Sequence, residues 1–100
     1  MKPAIFHPEA DDEFADAIDY FAKRGDGLGD RFYDEVRQLT AEIEAAPQLY
    51  RVWLHGTRRH LGRHFPYALI YVERPNHLAV LAVAHCKRRP NYWRERLRSP

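Results

Sequence analysis

The sequence predicts an α+β fold: an N-terminal antiparallel helix hairpin packed on a small twisted, mostly antiparallel β-sheet, with a short C-terminal helix. Three observations carry that expectation. Apolar residues recur at helical spacing in two blocks ahead of Pro47, the period becomes strand-like from Arg51 onward, and the strands follow one another instead of alternating with helices. The 100 residues suffice for one modest core, so residues 1–100 are expected to form one domain.

Each element has its own signal. Ala4-Ile5-Phe6 predicts a short strand that ends where His7-Pro8 opens a helix, proline being favoured at the first helical position. Phe14, Ala17, Ile18, Phe21 and Ala22 then form one apolar stripe. Glu9, Asp11, Asp12 and Glu13 crowd the first turns, and Lys23 and Arg24 close the last one before Gly25, which complements the helix dipole. Leu28, Phe32, Val36, Leu39 and Ile43 give the stripe of a second helix, stopped by Pro47. The short glycine-rich turn between the two predicts an antiparallel hairpin.

Val52-Trp53-Leu54 and a segment around His60 to Phe65 read as strands separated by a turn at Gly56. Tyr67 to Glu73 is β-rich, and Arg74-Pro75-Asn76-His77 is a turn. Leu78 to Ala84 returns antiparallel and is apolar on both faces, so it is placed at the centre of the sheet. By strand alternation His85 shares a face with Leu81 and Val83. Asn91 to Arg98 predicts one or two helical turns, with Trp93 and Leu97 on one face and Arg94 and Arg98 on the other.

The formal net charge of +2 conceals a division by sequence half. Residues 1–50 hold five Lys/Arg against twelve Asp/Glu, whereas residues 51–100 hold eleven against only Glu73 and Glu95, with five of the six histidines. Two readings follow: a polyanion-facing surface built from the basic half, or mutual neutralisation across an internal interface. A lone Cys86 excludes an internal disulfide and suits a reducing cytosol. The N-terminus turns acidic by Glu9 with no apolar run behind Lys2, so no signal peptide is expected, and Leu78 to Ala84 is too short to cross a bilayer. A cytoplasmic location is expected.

Two clusters interleave cations with aromatics: Arg58 to Tyr67, and His85 to Trp93. Thirteen of the sixteen basic residues are Arg, whose planar fork grips two oxyanion oxygens at once and stays charged. Neighbouring rings offer stacking platforms for unpaired bases. Arg58, Arg59, Arg88, Arg89 and Arg94 are therefore candidate contacts to nucleic acid or to an acidic protein; a solvated basic surface over core aromatics is the alternative. His60, His64, His85 and Cys86 form no Cys-x-x-Cys or His-Glu-x-x-His pattern, so neither a metal nor another cofactor is expected.

The order of these pieces closely resembles the RelE/ParE superfamily of bacterial toxins. The resemblance runs from Phe6-His7-Pro8-Glu9-Ala10 through Gly29-Asp30-Arg31-Phe32, Ala46-Pro47 and Tyr50. It continues in Arg63-His64-Phe65-Pro66-Tyr67-Ala68-Leu69-Ile70-Tyr71 and the apolar strand that ends in His85-Cys86-Lys87-Arg88-Arg89-Pro90-Asn91-Tyr92-Trp93. It implies a growth-inhibiting toxin of a type II toxin–antitoxin module, as in plasmid stabilisation, neutralised by direct binding of a cognate antitoxin.

The resemblance implies two mechanisms. RelE-like members cut ribosome-bound mRNA without metal, whereas ParE-like members poison DNA gyrase and need no active site. A metal-independent endoribonuclease must activate a 2′-hydroxyl, hold the phosphate and protonate the leaving oxygen. Arg63 would then be the phosphate clamp, His85 the acid or base, and Tyr92 a stacking or proton-donating residue. Structural alternatives stay open for each: Arg63 pinning the sheet to Asp34 or Glu35, His85 as a strand-end histidine bonded to backbone, Tyr92 and Trp93 seating the tail. The ribonuclease branch of the family often carries lysines among its site residues, whereas this chain has only Lys2, Lys23 and Lys87, and the strand-end His followed by Arg-Arg-Pro leans slightly toward the ParE-like members. A degenerate toxin that only binds its antitoxin is the third possibility.

Overall fold

The computed structural model describes residues 1–98. Strand β1 (Ala4–Phe6) leads into helix α1 (Pro8–Ala22), followed by helix α2 (Leu28–Ala45). Then come β2 (Arg51–Val52), a 3-10 turn (Leu54–Gly56), β3 (Arg58–Leu61), β4 (Tyr67–Glu73), β5 (Leu78–His85) and a second 3-10 turn (Arg94–Arg98). The five strands lie in the order β1-β5-β4-β3-β2, with β1 parallel to β5 and the other neighbours antiparallel. The α+β architecture expected from the sequence is the one observed.

Local chemistry sets the helix hairpin. The His7 Nδ1 accepts the Glu9 N–H at 3.1 Å, and Pro8 occupies a first-turn position whose N–H would have no intrahelical partner. Helix α1 stops at Ala22, so Lys23 and Arg24 lie just beyond its last turn rather than within it. Helix α2 crosses α1 at Gly29, where a Cβ would sit 3.0 Å from both the Ile18 carbonyl oxygen and the Ala22 Cβ. Glycine there lets the two backbones approach.

Both faces of the sheet are covered, which is why β5 lacks a polar side. Toward the helices, Phe32, Val36, Leu39 and Ile43 pack on Leu69, Tyr71, Leu78, Val80 and Val83. On the opposite face, Ala68, Ile70, Leu81, Ala82 and Ala84 form a second cluster closed by Trp93, which is 2% exposed. Burying an aromatic of this size supplies a large share of the tail's anchoring.

Three local departures from the sequence reading matter for function. First, Tyr71 pairs with Val80 and Ile70 with Ala82, leaving Leu81 as an extra residue in β5. This bulge puts Leu81 and Ala82 on the face away from the helices and turns Val83 toward them. His85 therefore shares a face with Val83 but not with Leu81, as simple alternation had it. Second, β2 ends at Val52, because His55 and Gly56 adopt φ of 57° and 77° in the 3-10 turn. Third, β3 ends at Leu61, where the Gly62 N–H turns back to the Tyr67 carbonyl at 2.8 Å. A Cβ on Gly62 would lie 2.7 Å from the Phe65 carbonyl oxygen, so this turn demands glycine. The tail helix is a 3-10 turn, short enough that i and i+3 residues eclipse.

Candidate functional site

The cations of the basic half divide by what they touch. The Arg63 Nη2 donates to both Glu42 carboxylate oxygens at 2.8 and 2.9 Å, and His60 Nε2 lies 2.7 Å from the same carboxylate. His60 in turn stacks on Tyr50, ring centroids 3.6 Å apart. Burial alone would raise the Glu42 pKa, but hydrogen bonds from His60, Gln38 and Arg63 and the Arg63 charge hold it at about 2. Glu35 accepts the backbone N–H groups of His64 and Phe65 and pairs with His64 Nδ1 at 2.9 Å. These contacts overcome its burial and lower its pKa.

A second carboxylate cluster gathers at the other end of the sheet. Arg96, buried at 9% exposure, donates to Glu13 at 3.0 and 3.1 Å, to the Leu81 carbonyl at 2.9 Å, and pairs with Glu9 at 3.0 Å. The Val83 N–H donates to the same Glu13 at 3.1 Å. Arg58 donates to the Tyr50 carbonyl at 2.8 Å, and Arg74 to the Leu97 carbonyl at 2.9 Å. Internal neutralisation thus accounts for Arg63 and Arg96, both hydrogen-bonded to acids of the first half, and reaches Arg88 through a longer pair with Glu13 at 3.5 Å.

Other arginines converge elsewhere. Arg58 pairs with Tyr71 and so faces the helices, whereas Arg59 pairs with Ile70 and points to the opposite face. There the Arg59 guanidinium lies 3.7 Å over the Trp53 ring, and Arg88 lies 3.8 Å over Tyr92. The Arg59 Nε is buried with no hydrogen-bond partner. Among the described residues Arg59, Arg89 and Arg94 make no side-chain hydrogen bond or ion pair, and the closest acid to Arg88 is Glu13 at 3.5 Å. Arg59, Arg88 and Arg89 rim one hollow of about 230 Å³ whose floor is Ala68, Ile70 and Ala84 and whose walls include Trp53, Tyr92 and Trp93. Arg94 sits exposed on the terminal turn, outside this lining.

The three residues expected to form a catalytic group are not assembled in one place. Tyr92 lines the hollow, and His85 stands at its rim with its ring against Tyr67 on the helix side, centroids 5.1 Å apart. The His85 Nδ1 accepts the Lys87 N–H at 3.0 Å. Arg63 lines a different cleft with Glu35, His64 and Phe65 along α2. Its helix partner is Glu42, not the Asp34 or Glu35 considered from sequence. Burial and the Glu13 carboxylate push the Tyr92 phenol far up, so it stays protonated near neutral pH.

Sequence reasoning missed Arg96, Glu13, Glu42 and Trp53. Arg96 had a usable signal: it stands three residues after Trp93, and in a 3-10 turn that spacing puts both on the buried side. Glu42 had none beyond being one of many acids.

Residues 4–90 match the family described as the ParE toxin of type II toxin-antitoxin systems, parDE. The chain belongs to the ParE toxin family. Membership makes it a toxin of a type II module, a class of protein whose partner is a cognate antitoxin. A comparison with individual curated proteins returns no significant match. The ParE match takes in the hairpin, the whole sheet and the rim residues Arg59, Arg88 and Arg89, and ends before Tyr92 and Arg96. Among the described residues, no helix of this ParE-family chain is long and apolar enough to cross a membrane.

Proposed function

We propose that this ParE-family protein inhibits growth by binding DNA gyrase, without cutting RNA, and that its antitoxin neutralises it by direct contact. One observation carries the reading: Arg63, the residue that would clamp a phosphate, is paired to Glu42 in one cleft while Tyr92 and the rim of His85 belong to another. Positioned acid–base groups contribute roughly 10²–10⁴-fold each only within hydrogen-bond reach of the same reacting atoms. A binding inhibitor needs a surface, and the uncompensated arginines on the sheet face supply one.

The test is expression without antitoxin, reading plasmid topology and mRNA 5′ ends together, followed by a supercoiling assay with purified toxin and gyrase. Loss of supercoiling without new mRNA ends is the expected result, with Arg63→Ala still inhibitory. Ribosome-dependent mRNA cleavage that disappears in His85→Ala would overturn it in favour of the ribonuclease. Unaffected growth would leave a degenerate toxin that only binds its antitoxin.

A further inference from the structure

The hollow on the helix-distal face combines features that neither internal neutralisation nor the core requires. Each of two guanidinium groups lies over an aromatic ring, Arg59 over Trp53 at 3.7 Å and Arg88 over Tyr92 at 3.8 Å. Stacking covers one guanidinium face and leaves the other face and the N–H edge for a ligand. A free guanidinium plane accepts a nucleobase, and its edge donates in parallel to phosphate oxygens. Arg59 is half-buried and has no carboxylate partner among the described residues, so an anion in the hollow would be its first counter-charge. The floor between the platforms is small and apolar, Ala68, Ile70 and Ala84.

We propose that this hollow grips one unstacked nucleotide of a single-stranded nucleic acid, its phosphate on the Arg59 and Arg88 edges and its base against a guanidinium plane. A carboxylate side chain would use the edges alone and leave the planes unfilled. A hollow of about 230 Å³ admits one extruded nucleotide and not the flank of a duplex. Resting on the gyrase reading above, the strand is DNA: a toxin that touches both the enzyme and an opened segment of its DNA. Glu13, beside Arg88 at 3.5 Å, is the competing anion already in place.

The test measures binding of a fluorescein-labelled deoxythymidine dodecamer to the purified toxin without gyrase, so its failure is distinguishable from failure of the gyrase reading. Arg59→Gln and Arg88→Gln, each checked for an unchanged melting temperature, are expected to weaken binding about tenfold and to lower the log–log salt slope by about 0.7 per arginine removed. Arg63→Gln, in the other cleft, should leave binding unchanged. Undetectable binding, or equal weakening by all three variants, overturns the proposal. So does a poly-glutamate peptide that binds as tightly as the oligonucleotide, which would make the hollow a carboxylate site. A ribo-dodecamer bound tenfold more tightly than the deoxy strand would overturn the assignment to DNA.

Discussion

Glu13 and Arg96 stand 83 positions apart and meet through two hydrogen bonds of 3.0 and 3.1 Å, joining the first helix to the last turn. The pair also closes the outer edge of β5. Strand β1 pairs only with Leu78, Ala79 and Val80, and beyond it the Val83 N–H and Leu81 carbonyl are satisfied by these two side chains. Glu13→Ala leaves a buried guanidinium still bonded to the Leu81 carbonyl and to the exposed Glu9, but without the carboxylate that takes two of its hydrogen bonds. Breaking such a pair costs about 3 kcal/mol. For a chain of this length thermal melts should fall by roughly 12–24 °C. A change under 2 °C would show that Glu9 alone holds Arg96.

Glu42 sets a pH dependence whose sign is fixed. Its pKa lies at about 2 in the folded protein, against an ordinary 4.5. A depressed carboxylate stabilises above the unfolded value and loses that contribution as pH falls through the folded one. Glu42→Gln should therefore destabilise by on the order of 2 kcal/mol at pH 7, less than the full shift because solvent reaches part of the site. The gap between variant and wild type should close between about pH 4.5 and 2. Urea titrations at stepped pH measure it, and a gap that stays constant down to pH 2.5 would contradict the assignment.

Gly62 tests the turn that presents Arg63 and His64. An added Cβ would lie 2.7 Å from the Phe65 carbonyl oxygen and 2.6 Å from Glu35 Oε2. Gly62→Ala should cost about 1–3 kcal/mol by overpacking, seen as a lower denaturant midpoint with an unchanged slope. Equal stability would mean that the β3–β4 connection relaxes freely.

Trp93 and Cys86 separate stability from recognition at the hollow. Trp93→Ala removes a nearly fully buried ring and should destabilise by about 3–5 kcal/mol. Cys86 is exposed and lines the same hollow, so coupling it to a bulky maleimide should leave the melt within 2 °C while reducing inhibition of gyrase several-fold. Full inhibition by the labelled toxin would remove the hollow from the inhibitory surface.

Much of the fold was legible because long elements repeat their signal. The stripes of α1 and α2, the exact span Tyr67–Glu73 and the apolar β5 all follow from periodicity that many residues share. The short elements were not legible. Val52-Trp53-Leu54 reads as strand by side chain, yet the positive φ at His55 and Gly56 curls the chain away after Val52. The site was legible as composition but not as geometry. Adjacent arginines such as Arg58 and Arg59 look like one patch in sequence, and a strand sends them to opposite faces. Which acid neutralises which arginine depends on the packing angle between helix and sheet; thus Glu42, not Glu35, receives Arg63.

The extra residue in β5 sets two consecutive side chains, Leu81 and Ala82, on the helix-distal face. On both sides of Leu81 the strand alternates: Leu78, Val80 and Val83 lock the sheet to the helices, while Ala79, Ala82 and Ala84 lie on the helix-distal face, with Ala84 in the floor of the hollow. A bulge bends the strand that carries it and increases its local twist. Removing Leu81 would restore unbroken alternation, Val80 toward the helices, Ala82 away and Val83 toward them, so the deletion should straighten the strand while leaving every later side chain on its present face.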